Sequence, residues 1–296
     1  ERAARRQAGR SARRRVVAAR RVELDGFGLH GGARARLVVS ARPGPLVFLS
    51  GGRVTPLSAL RASGDRRSTE LSGDGVTART VEHLFAALAA LGLHEGVALE
   101  LTGDECPLLD GGARTYFNAL CTLSLPPVAP RLAIVADGEV RVGASVYRFS
   151  RPPPGASPRP RVSVEVDFDD ARLAPRAAWD GDAADFARRI APARTFGFAR
   201  ELGELAERGL ASRVDRESVV LVTDAAVLSA GPPFLPDEPA RHKLLDLMGD
   251  LFVWGGPPLG HAHAERPGHA ATHAAVAEGL ARGLLAQPRG GEPTRT

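Results

Sequence analysis

A proline-rich stretch near the middle of the chain separates two halves of similar length, and this division constrains the fold more than any other feature. The stretch spans residues 126–131 and reads Pro-Pro-Val-Ala-Pro-Arg, a composition typical of a connector. The chain of 296 residues is long enough for two domains that each bury a core. We therefore predict one domain over residues 21–127 and a second over residues 131–290.

Both halves contain short runs in which apolar and polar residues alternate, which is the pattern of half-buried strands. Strands come first and helical patterns later in each half, and this order favours an α+β fold over a doubly wound parallel sheet. The proline-rich residues 151–160 are predicted to form a surface loop between two strands. The predicted strands lie within residues 34–39, 96–101, 140–149, 162–168 and 219–222.

The formal net charge of +5 comes from the N-terminal end of the chain. Residues 1–21 contain nine of the 39 basic side chains and one of the 34 acidic ones, which leaves 30 basic and 33 acidic side chains for the rest. Because the rest is slightly acidic, nucleic-acid binding is not expected. We predict residues 1–20 to be a disordered extension. Its weak attraction to an anionic membrane surface is the alternative.

Cysteine usage and hydropathy indicate a cytoplasmic protein. Cys106 and Cys121 have no metal-site spacing and do not suggest a disulfide framework. No apolar run reaches the roughly 18 residues that a membrane-spanning helix needs. The apolar residues 16–19 are too few for a signal peptide.

Lysine occurs once, at position 243, whereas the other 38 basic side chains are arginine. An ammonium group is a compact charge with a tunable pKa, unlike the planar guanidinium group. Lys243 lies in a predicted helix that begins near Glu238, with Pro239 in its first turn, and extends to Val253. Gly249 costs up to about 1 kcal/mol of helix propensity, which indicates that another element packs closely there.

Three polar side chains of this helix are spaced by four residues and therefore share one face: His242, Asp246 and Asp250. Histidine and aspartate at this spacing suit zinc, although an ion pair on a helix face is the commoner arrangement. A zinc site therefore needs a third ligand from elsewhere in the chain.

A second predicted helix supplies a candidate for the third ligand. Thr80 is expected to cap this helix and Gly92 to mark its end. Glu82 and His83 then lie in the first turn, where the helix dipole favours an ionised carboxylate. The segment lacks the His-Glu-x-x-His arrangement, so zinc ligands would come from distant parts of the chain. The set His83, His242 and Asp246 would leave a fourth position for water, as in a catalytic zinc site.

Two further segments carry candidate polar residues. Thr195 lies between Arg194 and Phe196 in a predicted loop. His269 follows a Pro-Gly turn and begins an apolar helix, a position that suits a general acid.

The other histidines are not expected to bind a metal. A glycine-rich turn at residues 26–32 surrounds His30, but it lacks the spacing of a dinucleotide or phosphate-binding loop. Four more are expected to be solvated: His94, His261, His263 and His273.

Six short motifs follow one another along the chain. They are Gly-Leu-His at 28–30, Thr-Val-Glu-His at 80–83, Leu-Asp-Gly at 109–111, Ala-Arg-Thr-Phe-Gly-Phe at 193–198, Arg-His-Lys-x-x-Asp-x-x-Gly-Asp-Leu at 241–251 and Gly-His at 268–269. In this order they resemble the zinc-dependent UDP-3-O-acyl-N-acetylglucosamine deacetylase family of lipid A synthesis. The resemblance extends from about residue 21 to about residue 285. It implies two similarly folded α+β domains, each a sheet packed on helices, with the active site at their interface.

Matched residue by residue, the resemblance implies a catalytic role for each candidate. The implied ligands of one zinc ion per chain are His83, His242 and Asp246. Glu82 would be the general base, and His269 would be the general acid, oriented by Asp250.

The resemblance also implies how the substrate is held. Thr195 would stabilise the oxyanion, Lys243 would add positive charge near the substrate, and Phe196 would line the sugar or acyl pocket. The substrate would be a UDP-linked acylated glucosamine, and the protein is expected to be a monomer.

Two stretches depart from the family pattern. Where the family usually has Gly-Gly-Ser-Leu-Asp-Asn, residues 211–218 read Ala-Ser-Arg-Val-Asp-Arg-Glu-Ser. Because this region belongs to the acyl-chain passage of the family, we predict a preference for shorter acyl chains. Residues 110–113 contain a glycine where the family usually has serine.

Three functions are compatible with these observations. The first is zinc-dependent removal of the N-acetyl group from UDP-3-O-acyl-N-acetylglucosamine. The second is a related zinc amidase with a different acylated sugar or amide as substrate, which the altered residues 211–218 suggest. The third is non-enzymatic binding to an anionic surface through the arginine-rich extension. The intact set of candidate ligands, base and acid argues against the third.

Overall fold

The computed structural model describes residues 20–64, 67–156, 158–201 and 215–287. The predicted basic extension lies outside the described residues except for Arg20. The described residues form several mixed sheets and separate helices, so the predicted α+β fold is confirmed.

The first half builds a five-stranded sheet, a three-stranded sheet and two helices. Its elements are β1 (Arg21–Phe27), β2 (Arg34–Pro45), β3 (Val47–Ser50), β4 (Arg53–Pro56), β5 (Arg61–Ser63), β6 (Glu70–Gly73), β7 (Val76–Arg79), α1 (Glu82–Ala90), β8 (Glu95–Thr102) and α2 (Arg114–Cys121). The larger sheet has the strand order β1-β2-β8-β3-β4. Neighbouring strands are antiparallel except for β3 and β8, which are parallel.

The second half also contains a five-stranded sheet. Its elements are β9 (Ala133–Ile134), β10 (Gly138–Val142), β11 (Ser145–Ser150), β12 (Pro160–Glu165), β13 (Arg176–Trp179), α3 (Ala183–Asp185), β14 (Thr195–Phe198), β15 (Val219–Val222), β16 (Val227–Ser229), α4 (Glu238–Val253), β17 (Gly260–Glu265), α5 (His269–Ala281) and β18 (Leu285–Ala286). A π-helical segment, Phe186–Ile190, continues α3. The larger sheet has the order β10-β11-β17-β12-β13, antiparallel except for β12 and β17.

The two halves share one topology. In each, two hairpins flank a central strand that comes last in sequence, β8 or β17, and this strand is parallel to one neighbour. A three-stranded sheet and then a buried helix, α1 or α4, precede the central strand, and a further helix follows this strand. The resemblance implied this similarity, although no repeat is apparent in the sequence. The boundaries at residues 127 and 131 stay a prediction.

Helices α1 and α4 pack against each other between the two larger sheets. Every residue of α1 is buried, and α4 is buried except for Lys243 and Val253. The rings of Phe85 and Phe252 lie 5.0 Å apart at this contact. One apolar core joins both helices to both five-stranded sheets. The polar side chains of α1 and α4 therefore lie inside the protein.

The start of α1 differs from the prediction. Val81 precedes the first helical residue, and no side chain caps the helix. Thr80 instead has a φ of 55°, and its hydroxyl donates to Glu105 Oε1 at 2.9 Å. The predicted cap was wrong because a carboxylate distant in sequence binds the hydroxyl, which local capping signals do not reveal. Gly92, with a φ of 66°, follows the helix as predicted.

Two strand predictions also need correction. Residues 140–149 form the hairpin of β10 and β11 rather than one strand, and Thr195 lies on β14 rather than in a loop. Thr195 pairs in parallel with Val219 of β15, a partner that local composition does not indicate.

The close packing predicted at Gly249 is present. A Cβ atom at this position would lie 2.1 Å from the backbone oxygen of Glu82 on α1. Since a backbone atom cannot move away as a side chain can, we expect Gly249→Ala to separate the two helices. The free energy of unfolding should fall by about 3 kcal/mol, which is the upper end of the range for overpacked side chains. Urea denaturation measures this loss.

Gly279 of α5 is the matched control for this experiment. A Cβ atom there would meet the end of the Leu285 side chain at 2.9 Å, and the end of a side chain shifts more easily than a backbone atom does. Gly279→Ala should therefore cost much less, because alanine favours a helix by about 1 kcal/mol over glycine. If both variants lost the same free energy of unfolding, the backbone of Glu82 would not be what makes alanine costly at position 249.

Candidate metal centre and active site

Three candidate ligands meet where α1 contacts α4. The donor atoms of His83, His242 and Asp246 all lie within 4.8 Å of one another. Asp246 Oδ1 is 3.5 Å from His242 Nε2 and 3.8 Å from His83 Nε2. These distances exceed those of good hydrogen bonds, so the donors surround a common point instead of pairing with each other.

The protonation states of these residues fit metal binding. His242 Nδ1 lies 3.0 Å from the carbonyl oxygen of Ala193, a contact that places the proton on Nδ1 and leaves Nε2 as the ligand atom. Burial lowers the pKa of both imidazoles, that of His83 to about 3. Burial alone would raise the pKa of Asp246, but the positive charge of Lys243 and of the neighbouring histidines together outweighs burial and holds the pKa well below its usual range. Two neutral imidazoles and one carboxylate form a donor set that a metal ion can use directly.

The only lysine of the chain lies beside this centre. Lys243 Nζ donates to Asp246 Oδ2 at 2.9 Å. Burial opposes its charge, but the carboxylates of Asp246, Asp250 and Glu82 together outweigh burial and raise the pKa of the ammonium group. Lys243 therefore stays protonated and directs positive charge into a cavity of about 120 Å³. The cavity is lined by Leu29, Arg67, Glu82, His83, Thr195, Phe196, His242, Lys243, Asp246 and His269.

Glu82 precedes His83 in the first turn of α1, and its side chain reaches the same cavity. The carboxyl oxygen Oε2 accepts a hydrogen bond from the backbone N–H of Thr69 at 3.1 Å. Burial raises the pKa of Glu82 to about 8. A carboxyl group with a pKa near neutrality can both accept and release a proton at physiological pH.

His269 begins α5 and lies on another wall of the cavity. Its Nδ1 atom is 3.0 Å from each carboxylate oxygen of Asp250. Burial opposes a charge on the ring, but Asp250 and Glu82 outweigh burial and raise the pKa of His269 to about 9. His269 is therefore protonated at neutral pH, with Nε2 on the side of the ring away from Asp250.

Thr195 and Phe196 line the cavity from strand β14. The backbone N–H of Thr195 donates to the carbonyl oxygen of Gly111 at 2.8 Å, which anchors the strand to the Leu-Asp-Gly motif. The ring of Phe196 lies edge-on to His242 with the centroids 6.0 Å apart. The structure thus brings together all the site residues named from the sequence, with Asp250 behind His269.

Glu105 supports the site but was not singled out from the sequence. Its carboxylate accepts the backbone N–H groups of His30 and Gly31, both at 2.8 Å, and the hydroxyl of Thr80. Glu105 thereby holds the turn that presents Leu29 to the cavity. No local signal marks this acid, because its partners lie in other segments.

Arg194 and Glu238 form a second support that sequence reasoning missed. Both are buried, and Arg194 Nε donates to Glu238 Oε1 at 2.8 Å. Arg194 follows Ala193, whose carbonyl oxygen contacts His242. The ion pair thus anchors the segment that orients His242. In the sequence, only the Ala-Arg-Thr motif marked the position of Arg194.

The four histidines predicted to be solvated all make specific contacts. Ser163 Oγ lies 2.8 Å from a ring nitrogen of His261 and 2.9 Å from one of His263, and both histidines lie on β17. His94 stacks on Phe252. His273 is 7% exposed and is bonded to Thr69. The prediction was wrong for His273, which is buried, whereas His94, His261 and His263 are partly exposed.

The structure describes parts of the two stretches that depart from the family pattern, residues 211–218 and 110–113. Residues 202–214, including Arg213, lie outside the described residues, whereas the side chains of Arg216 and Glu217 are exposed. These two charges are therefore not buried in a passage. At Gly112, a Cβ atom would lie 2.5 Å from the carbonyl oxygen of Ala191, so glycine suits this position better than serine.

In the part of the chain that the structure describes, no helix has both the length and the apolar character needed to cross a membrane.

Comparisons with known proteins agree with this geometry. The family model described as "LpxC: UDP-3-O-acyl N-acetylglycosamine deacetylase" matches residues 16–281. A UDP-3-O-acyl-N-acetylglucosamine deacetylase of Myxococcus xanthus is 35% identical over 263 residues, which cover 86% of this chain and 82% of the relative. A protein of the same name from Thermosynechococcus vestitus is 34% identical over 254 residues, covering 83% of this chain and 87% of the relative. The chain therefore belongs to the LpxC family of UDP-3-O-acyl N-acetylglycosamine deacetylases.

Proposed function

We propose that this protein removes the N-acetyl group from UDP-3-O-acyl-N-acetylglucosamine, a step of lipid A biosynthesis, and that it uses one zinc ion. Family membership supports the substrate and the reaction. The observation that carries the proposal is the meeting of three metal donors, a buried carboxyl group and a protonated histidine around one cavity.

The donor set supports zinc as the metal ion. Two imidazole nitrogens and one carboxylate oxygen, from His83, His242 and Asp246, match the composition of catalytic zinc sites, which keep one position open. When bound, zinc would polarise the acetamide carbonyl group and lower the pKa of water at the open position toward about 7. The positive charge would also favour the ionised form of Glu82.

The side chains then divide the reaction between them. Glu82 accepts the proton of the water molecule whose oxygen forms the new bond to the carbonyl carbon. Thr195 and Lys243 stabilise the negative charge on the former carbonyl oxygen, where one such donor is typically worth about 100- to 1000-fold in rate. His269 donates its Nε2 proton to the amide nitrogen as the C–N bond breaks. The products are acetate and the free amine.

Phe196 is proposed to line the pocket for the sugar or acyl group, since it forms a wall of the cavity beside His242. From the sequence alone, we also propose that the protein is a cytoplasmic monomer. Its basic extension is proposed to make weak contact with an anionic membrane surface.

The decisive experiment measures acetate release from UDP-3-O-acyl-N-acetylglucosamine with a series of defined acyl chains. We expect release that is lost after chelation and restored by zinc. UDP-N-acetylglucosamine without the 3-O-acyl group is the control, and its turnover should be far slower. Equal turnover of both compounds, or release from another acylated amide only, would favour the related zinc amidase.

A further inference from the structure

A continuous row of hydrogen bonds lies behind the histidine that faces the cavity. Trp254 Nε1 is 3.0 Å from His273 Nδ1, and His273 Nε2 is 2.9 Å from Thr69 Oγ1. Thr69 Oγ1 is in turn 2.6 Å from Asp250 Oδ1, and both oxygens of Asp250 contact His269 Nδ1.

The first donor in this row fixes the direction of the bonds that follow. An indole N–H can only donate, so His273 Nδ1 accepts and carries no proton. Burial lowers the pKa of His273, so the ring is neutral and its single proton lies on Nε2. His273 Nε2–H therefore donates a hydrogen bond to Thr69 Oγ1, and the hydroxyl group of Thr69 donates one to Asp250 Oδ1.

We propose that Trp254, His273 and Thr69 form a positioning array that holds Asp250 so that His269 presents its Nε2 proton to the cavity. This inference rests on the proposed function. In the opposite tautomer, His273 Nε2 would accept a hydrogen bond from the hydroxyl group of Thr69, and Asp250 would lose the hydrogen bond from that hydroxyl group. Trp254 excludes this tautomer because it occupies Nδ1 as a donor.

Thr69 also connects the proposed general base with the group that holds the proposed general acid. Its backbone N–H donates to Glu82 Oε2, and its hydroxyl donates to the carboxylate that holds His269. Thr69 is fully buried and lies 181 residues from Asp250 in the sequence. One residue of the first half thus sets the relative position of a base and an acid that come from different halves.

The kinetic test uses two substitutions at Thr69. Thr69→Val removes the hydroxyl but keeps the shape and the backbone N–H that bonds Glu82. We expect kcat to fall about tenfold or more with KM unchanged, the scale of a hydrogen bond to a charged group. Thr69→Ser keeps the hydroxyl and should restore most of the loss. Metal content should be unchanged in both.

Trp254 has a matched control in Trp179, the only other tryptophan of the chain. Trp179 Nε1 donates to the carbonyl oxygen of Asp182 at 2.8 Å, and Trp179 does not line the cavity. Trp254→Phe should lower kcat several-fold because the tautomer of His273 is released. Trp179→Phe, which loses a comparable hydrogen bond, should leave kcat unchanged.

A spectroscopic readout tests the array without turnover. In protein labelled with ¹⁵N at histidine, NMR should show His273 as the Nε2–H tautomer in wild type and as a mixture in Trp254→Phe. Full kcat in Thr69→Val, no rescue by Thr69→Ser, or an Nδ1–H tautomer in wild type would each overturn the inference. If wild type released no acetate, the proposed function would fail, while the NMR result would still decide whether the array exists.

Discussion

Replacement of Asp246 by alanine is expected to abolish metal binding and to reduce acetate release to the background rate. Asp246 supplies the only carboxylate of the candidate donor set and accepts the hydrogen bond from Lys243. Its loss leaves two imidazoles and an unpaired ammonium group around the same point. Because the loss of outer partners alone weakens metal binding about 10- to 100-fold, removal of a ligand should exceed that range.

Elemental analysis of the purified variant, combined with the acetate assay, measures both effects. His83→Ala should behave in the same way, since it removes a ligand from the other helix. Glu278→Ala, which removes an exposed acid of α5, is the control and should keep metal and activity. Full occupancy and activity in Asp246→Ala or His83→Ala would show that the metal, if present, binds elsewhere.

Replacement of Glu82 by glutamine is expected to keep the metal and lower kcat about 100- to 10,000-fold, the usual contribution of a general base. The amide has nearly the same shape as the carboxyl group, and its oxygen can still accept the N–H of Thr69. It cannot accept a proton from water. Binding and folding should therefore persist while the chemical step fails.

Steady-state kinetics and metal analysis separate these effects. His269→Ala should give the same pattern, with metal retained and rate lost, because it removes the proposed acid and no ligand. A kcat near that of wild type in both variants would assign the acid and base roles to other residues.

The catalytic residues of the site were predictable because each of them lies in a short motif that can be recognised in the sequence. The spacing of His242, Asp246 and Asp250 follows from helix geometry, and the motifs around Glu82 and His269 occur in the family order. Burial in the structure adds what spacing cannot, namely the protonation state of each group. The raised pKa of His269 arises from Asp250 and Glu82 together, which only the packed helices bring near it.

The supports of the site were not predictable, because they join segments that lie far apart in the sequence. Glu105 binds the turn at His30 across 75 residues, and His273 meets Thr69 across 204. Local patterns gave no reason to single out Glu105, and they predicted His273 to be solvated. The common topology of the two halves was equally hidden in the sequence, since strand order depends on pairing rather than on composition.

Helices α1 and α4 hold equivalent places in the two halves, and each carries an incomplete set of donors. The first provides Glu82 and one imidazole, and the second provides the other imidazole and Asp246. A metal ion bound to both would therefore favour the packed arrangement over any state in which the halves separate, by mass action. Metal binding and the packing of α1 on α4 would then be thermodynamically linked, so each should strengthen the other.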